Sequence, residues 1–134
     1  MMKNRAVDLR TEADIIAARG AGREMARHLG FGLADQTRLA TAISELTRNV
    51  IQYAGQGVCF VSDESDGQMI RVKIVVEDNG PGIPDIEQAL EPGFSTSGGL
   101  GAGLPGARRL VHEFHIESEP GGTKVAVAMV RPRL

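Results

Sequence analysis

The chain has 134 residues, 42% of them hydrophobic and 24% charged, which suits one soluble domain with a substantial core. A net charge of −2 argues against a broad nucleic-acid surface, and the apolar stretches are too short and interrupted to span a bilayer. Met1 to Arg10 lacks the apolar stretch of a signal peptide, and the single cysteine, Cys59, can form no internal disulfide, so the expectation is a cytoplasmic protein with one domain over residues 1–134 and no membrane partner.

In chain order, residues 6–9 read as a short strand. Thr11 is a candidate N-cap with Asp14 three residues later, and a mostly apolar stripe from Ile15 to Leu29 then repeats at helical spacing until Gly30 stops it. A second helix is predicted from Ala34 or Asp35 to Tyr53, with Leu39, Ile43, Leu46, Val50 and Tyr53 as its core stripe. Residues 58–61 read as a strand, residues 63–67 as a polar hairpin turn, and residues 69–76 as the next strand, where Ile70, Val72, Ile74 and Val76 alternate with polar neighbours. From Asp78 to Leu104 the chain reads as loop with one short helix over 85–90. Residues 105–113 read as a helix with Pro105 in its first turn, and residues 114–118 and 123–130 as strands joined by Glu119-Pro120-Gly121-Gly122. Consecutive strands with short turns predict an α/β (α+β) two-layer sandwich, a mixed and largely antiparallel sheet with helices on one face.

Three segments carry chemistry. The first is Val75-Val76-Glu77-Asp78-Asn79-Gly80-Pro81-Gly82, an apolar strand ending in an acidic glycine turn. A carboxylate at a strand end can accept a hydrogen bond from an exocyclic amine such as adenine N6, and Gly80 and Gly82 let the backbone approach a flat ligand. The same Asp78 also reads as a turn residue that caps the next segment. The second is Glu45 with Asn49, four apart and so stacked along one side of the helix, next to its core stripe. An asparagine oxygen suits Mg²⁺ and a carboxylate one turn away suits a general base, while two polar residues on a solvated helix face is the plainer reading of that pair alone. The third runs from Ser95 to Gly106 and contains Gly98-Gly99-Leu100-Gly101-Ala102-Gly103-Leu104. A glycine-rich turn leading into a helix N-terminus offers N–H groups to phosphate oxygens, with Arg108 and Arg109 placed in the first turn; a mobile surface loop is the alternative. Thr123, opening the last strand, has a hydroxyl able to reach a ring nitrogen or a bridging water. The histidines His28, His112 and His115 form no site, and Cys59 reads as a core residue.

Taken in order, Glu45-x-x-x-Asn49, Asp78-x-Gly80-x-Gly82, Gly99-x-Gly101-x-Gly103 and Thr123 resemble the motif set of the GHKL ATPase and kinase superfamily of gyrase, Hsp90, histidine kinase and MutL types. The string Gly-Phe-Ser-Thr-Ser-Gly-Gly-Leu-Gly-Ala-Gly-Leu-Pro-Gly, residues 93–106, is similar to the small bacterial branch of stressosome switch serine/threonine kinases, near the anti-sigma factor kinases. The resemblance implies a Bergerat ATP-binding fold and the cofactors ATP and Mg²⁺. It implies Glu45 as the catalytic base and Asn49 as the Mg²⁺ ligand. Asp78, Gly80, Gly82 and Thr123 would then lie at the adenine, and Gly99, Leu100, Gly101, Ala102, Gly103 and Leu104 in a phosphate lid. It implies STAS-domain proteins as substrates and a PP2C-type phosphatase as a partner, with no nucleic acid. No lysine from a second domain and no phosphoacceptor-histidine helix accompanies these motifs, so Arg48, Arg108 and Arg109 are the candidates for charge near the transferred phosphate. An anti-sigma factor kinase that binds a sigma factor, or a non-catalytic ATP-dependent switch, are the other readings.

Overall fold

The computed structural model describes residues 4–83, 86–91 and 103–133. Along the chain come β1 (Arg5–Leu9), α1 (Glu12–His28), α2 (Leu33–Tyr53), β2 (Gly57–Asp63), β3 (Met69–Asp78), α3 (Ile86–Ala89), α4 (Gly103–Leu110), β4 (Glu113–Glu119) and β5 (Gly122–Pro132). The strands make a five-stranded sheet in the order β1-β2-β3-β5-β4, with every neighbouring pair antiparallel. β3, the strand with the clearest alternation, is central: Ile70, Val72, Ile74 and Val76 are buried and the residues between them only half-buried. That face shares one core with Cys59, Val61, Val125, Val127 and Met129 from the neighbouring strands and with Met25, Leu39, Ile43, Leu46 and Val50 from α1 and α2. The two-layer sandwich expected from the sequence is therefore the architecture, with a sheet that is antiparallel throughout its described pairs.

Local chemistry sets the helix ends. The Asp14 carboxylate accepts hydrogen bonds from the Arg10 and Thr11 N–H groups at 2.8 and 3.0 Å, satisfying donors that the first turn leaves free, and these bonds hold its carboxyl below the usual range. At the other end of α1, Arg131 Nη2 donates to Leu29 O at 2.8 Å while its guanidinium lies 5.7 Å from the Phe31 ring centroid. One arginine of β5 thus pins the α1–α2 turn to the sheet.

Tyr53 and both ends of α4 differ from the sequence expectation. Tyr53, expected in the core stripe of α2, is 48% exposed, because Val50 and Ala54 take the inward positions of the last turn and rotate Tyr53 outward. α4 starts at Gly103 and not at Pro105, and it ends at Leu110 well short of residue 113. It ends there because His112 is captured by β5: its N–H donates to Ala128 O at 3.0 Å, and its Nδ1 accepts from Val130 N–H at 2.8 Å. The short helix expected over 85–90 covers Ile86–Ala89 among the described residues.

Cys59 is fully buried, and desolvation pushes its thiol up to about 12, so at neutral pH it is a protonated, inert core residue. Two glycines inside α1 differ in what surrounds them. A Cβ at Gly20 would meet nothing within 4 Å, whereas one at Gly22 would run into the Ile43 side chain of α2. Gly20→Ala is expected to raise unfolding stability by about 0.5–1 kcal/mol through helix propensity, and Gly22→Ala to lose that gain to overpacking. Urea melts of the two variants check this; equal stabilisation by both would contradict the packing at Gly22.

Candidate active site

The site forms where the ends of β3, β4 and β5 meet α2 and α4. β3 and β5 pair in a register that sets Asp78 directly opposite Thr123, and β4 and β5 pair so that Thr123 is opposite Ser118. Side chains two apart on a strand share a face, so Asp78 points the same way as buried Val76, toward the helices. Asp78 Oδ1 accepts from Gly80 N–H at 2.8 Å, a turn-forming bond, and among the described residues Oδ2 accepts none. One oxygen therefore shapes the loop while the other has no partner among the described residues.

The glycines around Asp78 permit close approach. A Cβ on Gly80 would lie 2.7 Å from Ala54 Cβ at the end of α2, and one on Gly122 would lie 2.7 Å from Asp78 O. Gly82 has φ +86°, a conformation side-chain-bearing residues rarely adopt, and it lies under Glu119 of the β4–β5 hairpin. The loop is thus wedged between the end of α2 and that hairpin.

Glu45 and Asn49 approach from α2. Glu45 is only 8% exposed, yet its carboxylate is not stranded: Oε2 accepts from Gly103 N–H at 3.1 Å, and Oε1 lies 3.7 Å from Arg48 Nη1. Gly103 opens α4, whose first N–H groups have no partners within the helix, so Glu45 occupies the positive end of α4. Asn49, one turn further along and half-buried, makes no side-chain hydrogen bond among the described residues. One turn beyond it, Ala54 abuts Gly80. The helix therefore carries Glu45 toward the start of α4 and its C-terminal end toward the Asp78 loop, with Asn49 between. This arrangement has the parts for a planar amine-bearing ligand at Asp78, an oxyanion at the start of α4, and a carboxylate base at its edge.

A family model described as Histidine kinase-, DNA gyrase B-, and HSP90-like ATPase (HATPase_c) matches residues 34–133. The chain belongs to this ATPase family. Serine/threonine-protein kinase RsbT of Bacillus subtilis (strain 168) is 54% identical over 120 residues, 89% of this chain and 90% of that one. An anti-sigma F factor of Bacillus licheniformis is 31% identical over 91 residues, 63% of this chain and 61% of its own length. Among solved structures, the RsbU and RsbW domains of Rv1364c from Mycobacterium tuberculosis superpose with a TM-score of 0.67 over 98% of this chain and 34% of theirs. Their 22% identity makes that a likeness of fold. With the RsbT identity spread over nearly all of both chains, the HATPase_c chain is an enzyme of the serine/threonine-protein kinase class, and ATP use follows from the family.

Within this HATPase_c domain, Gly99, Leu100, Gly101 and Ala102 of the expected lid lie outside the described residues. Gly103 and Leu104 stand in the first turn of α4, and the Leu104 side chain is buried, so Leu104 can offer a ligand its backbone only. Arg108 and Arg109 were expected in the first turn of that helix. Because α4 starts earlier, both lie in its last turn, exposed, which removes them from the N-terminal end. Arg48, beside Glu45, is the arginine nearest the candidate base. Ser118 escaped the sequence reading. Its only signal was its place across the Glu119–Gly122 turn from Thr123, and its Oγ lies 2.7 Å from Thr123 Oγ1. A recess of about 250 Å³ at the strand ends shares Asp78 with the site; it is lined by Asp8, Arg10, Gln56, Gly57, Val58, Glu77, Asp78 and Asn79, and its wall contains none of Glu45, Asn49 or Thr123.

Proposed function

We propose that the chain is a single cytoplasmic kinase domain over residues 1–134 that transfers the γ-phosphoryl group of Mg²⁺-ATP to serine or threonine of STAS-domain proteins, as a switch in bacterial stress signalling. Released from that substrate, it binds and activates a PP2C-type phosphatase. Support for this reading comes from the Asp78–Thr123 pairing, the Glu45–Gly103 hydrogen bond, and the place of Asn49 on α2 between Glu45 and the Ala54 that abuts Gly80. The kinship with a serine/threonine-protein kinase over nearly the full length gives the reaction class.

Each residue has one task. Asp78 Oδ2 accepts the adenine amine while Oδ1 keeps the loop folded on Gly80, and Thr123 meets the ring edge. The backbone N–H groups at the start of α4 face the phosphates. Glu45 takes the proton of the attacking hydroxyl, with Arg48 at its side. Gly99, Leu100, Gly101 and Ala102, outside the described residues, are assigned by this proposal to phosphate binding together with Gly103 and Leu104, and Gly80 and Gly82 give the base its close approach.

Among the described residues no group of three or more His, Cys, Asp or Glu could hold a metal without help. One half-buried carboxamide without a hydrogen-bond partner among the described residues fits Mg²⁺ that is shared with phosphates, since this ion keeps water and phosphate oxygens and needs few protein ligands. Asn49 would hold it through Oδ1. When bound, the ion neutralises charge on the phosphates, and the chain's residues supply position and the base. Asn49→Ala is expected to abolish the Mg²⁺ dependence of nucleotide binding while leaving metal-free binding close to wild type. Titrations with and without Mg²⁺ check this, and an unaltered metal dependence would contradict it.

The function is tested by incubating the protein with γ-labelled ATP and a STAS-domain protein from the same cell. Label on a serine or threonine of that protein is expected. Binding of ATP with no transfer to any STAS protein would favour a non-catalytic switch. The similarity to anti-sigma F factors supports a second reading, a kinase that holds a sigma factor, and a pull-down recovering a sigma factor instead of a phosphatase would decide for it.

A further inference from the structure

The β4–β5 hairpin places a hydroxyl pair beside the loop that carries Asp78. Ser118, Thr123 and Asp78 are successive partners across three strands, all on the helix-facing side. Ile83 N–H donates to Ser118 Oγ at 2.7 Å, and Ser118 Oγ and Thr123 Oγ1 are 2.7 Å apart. A Cβ on Gly82 would come within 3.3 Å of the same Ser118 Oγ. The Asp78 loop is therefore bonded at both ends, by Asp78 to Gly80 and by Ser118 to Ile83.

A serine hydroxyl has one proton and two lone pairs. At Ser118 one lone pair receives the Ile83 N–H. We propose that Ser118 is a positioning residue for base recognition: it donates its proton to Thr123 Oγ1 and so turns the Thr123 O–H toward the bound base. This assignment rests on the nucleotide reading of Asp78 and Thr123. Its consequence is a favoured polarity along the pocket edge, an acceptor at Asp78 Oδ2 followed by a donor at Thr123. Adenine presents the complement, the N6 amine as donor and N1 as acceptor. Hypoxanthine presents the reverse, O6 as acceptor and N1–H as donor. A Thr123 hydroxyl that accepts from Ser118 has one lone pair occupied and is biased toward sending its O–H to the base, so it disfavours N1–H, whereas an unheld hydroxyl rotates freely and accepts either.

Calorimetry with ADP and IDP as probes tests this. Ser118→Ala is expected to lower the ratio of ADP to IDP affinity about five- to ten-fold, the scale of one neutral hydrogen bond. Both a weaker ADP complex from the freed loop and a stronger IDP complex from the freed Thr123 contribute. Ser118→Thr keeps the hydroxyl and is expected to keep the ratio. A serine with a merely structural role would weaken both nucleotides alike and leave the ratio unmoved. A folded Ser118→Ala protein with the wild-type ratio overturns the assignment, as does a folded Ser118→Thr protein that loses the ratio if the alanine variant does not fold. Wild-type protein that binds neither nucleotide, or Asp78→Asn protein with undiminished ADP affinity, removes the nucleotide reading itself and the Ser118 assignment with it.

Discussion

Glu45→Gln is expected to slow phosphoryl transfer by about 10²–10⁴-fold, the range for loss of a general base, while nucleotide affinity stays equal or rises. Two features of the structure give both halves of that result. The carboxylate sits at the start of α4, within 3.1 Å of Gly103 N–H, where the transferring phosphate would face the helix. Removing its negative charge relieves repulsion toward the phosphates, so binding does not suffer. Glutamine keeps an oxygen that can still accept from Gly103, so the α2–α4 tether survives and the change isolates proton transfer. Glu45→Ala removes both, and the difference between the two variants measures the tether. Steady-state transfer rates alongside nucleotide calorimetry check this. Transfer at the wild-type rate would remove Glu45 from the chemistry, and a large loss of affinity would make it a binding residue.

Asp78→Asn is expected to weaken adenine-nucleotide binding by about 1.5–3 kcal/mol, roughly 10- to 150-fold, the worth of a hydrogen bond to a charged group. The substitution is mild for the fold. An asparagine oxygen can replace Oδ1 as the acceptor for Gly80 N–H, so the turn that carries the loop remains. The other position becomes an NH₂ group, and it would meet the N6 amine donor to donor. Affinity should therefore fall with little change in the urea midpoint. A wild-type affinity for ADP in the folded variant would contradict the role of Asp78, and a collapsed midpoint would make the residue structural.

Much of this architecture was legible because local periodicity and the core agree. The alternation at Ile70, Val72, Ile74 and Val76 followed from a strand with one buried face, and the α2 stripe at Leu39, Ile43, Leu46 and Val50 from a helix laid on that face. Motif order groups Glu45, Asn49, Asp78 and Thr123 as a set from sequence alone. What spacing could not supply was long-range. The Glu45–Gly103 bond joins residues 58 apart, and it gives the Gly103 N–H at the start of α4 an acceptor on α2. That earlier start moved Arg108 and Arg109 to the far end of the helix. Ser118 shows the same limit. Its hydroxyl matters through Thr123 across the hairpin and Ile83, 35 residues earlier, and neither relation leaves a local pattern. Tyr53 fitted the helical stripe by spacing, yet at a helix end the neighbours decide exposure, and there the small Ala54 faces the Gly80 turn.

In the proposed function, Glu45, Asn49, Asp78 and Thr123 line one Mg²⁺-nucleotide site. A titration of isotope-labelled protein with Mg²⁺-ADP, followed by NMR, tests it most directly. The Asn49 side-chain amide and the backbone amides of Asp78, Gly80, Gly103 and Thr123 are expected to shift together along one saturation curve. Shifts confined to the opposite face of the sheet, around Phe60, Lys73 and His115, with those five signals still, would contradict it.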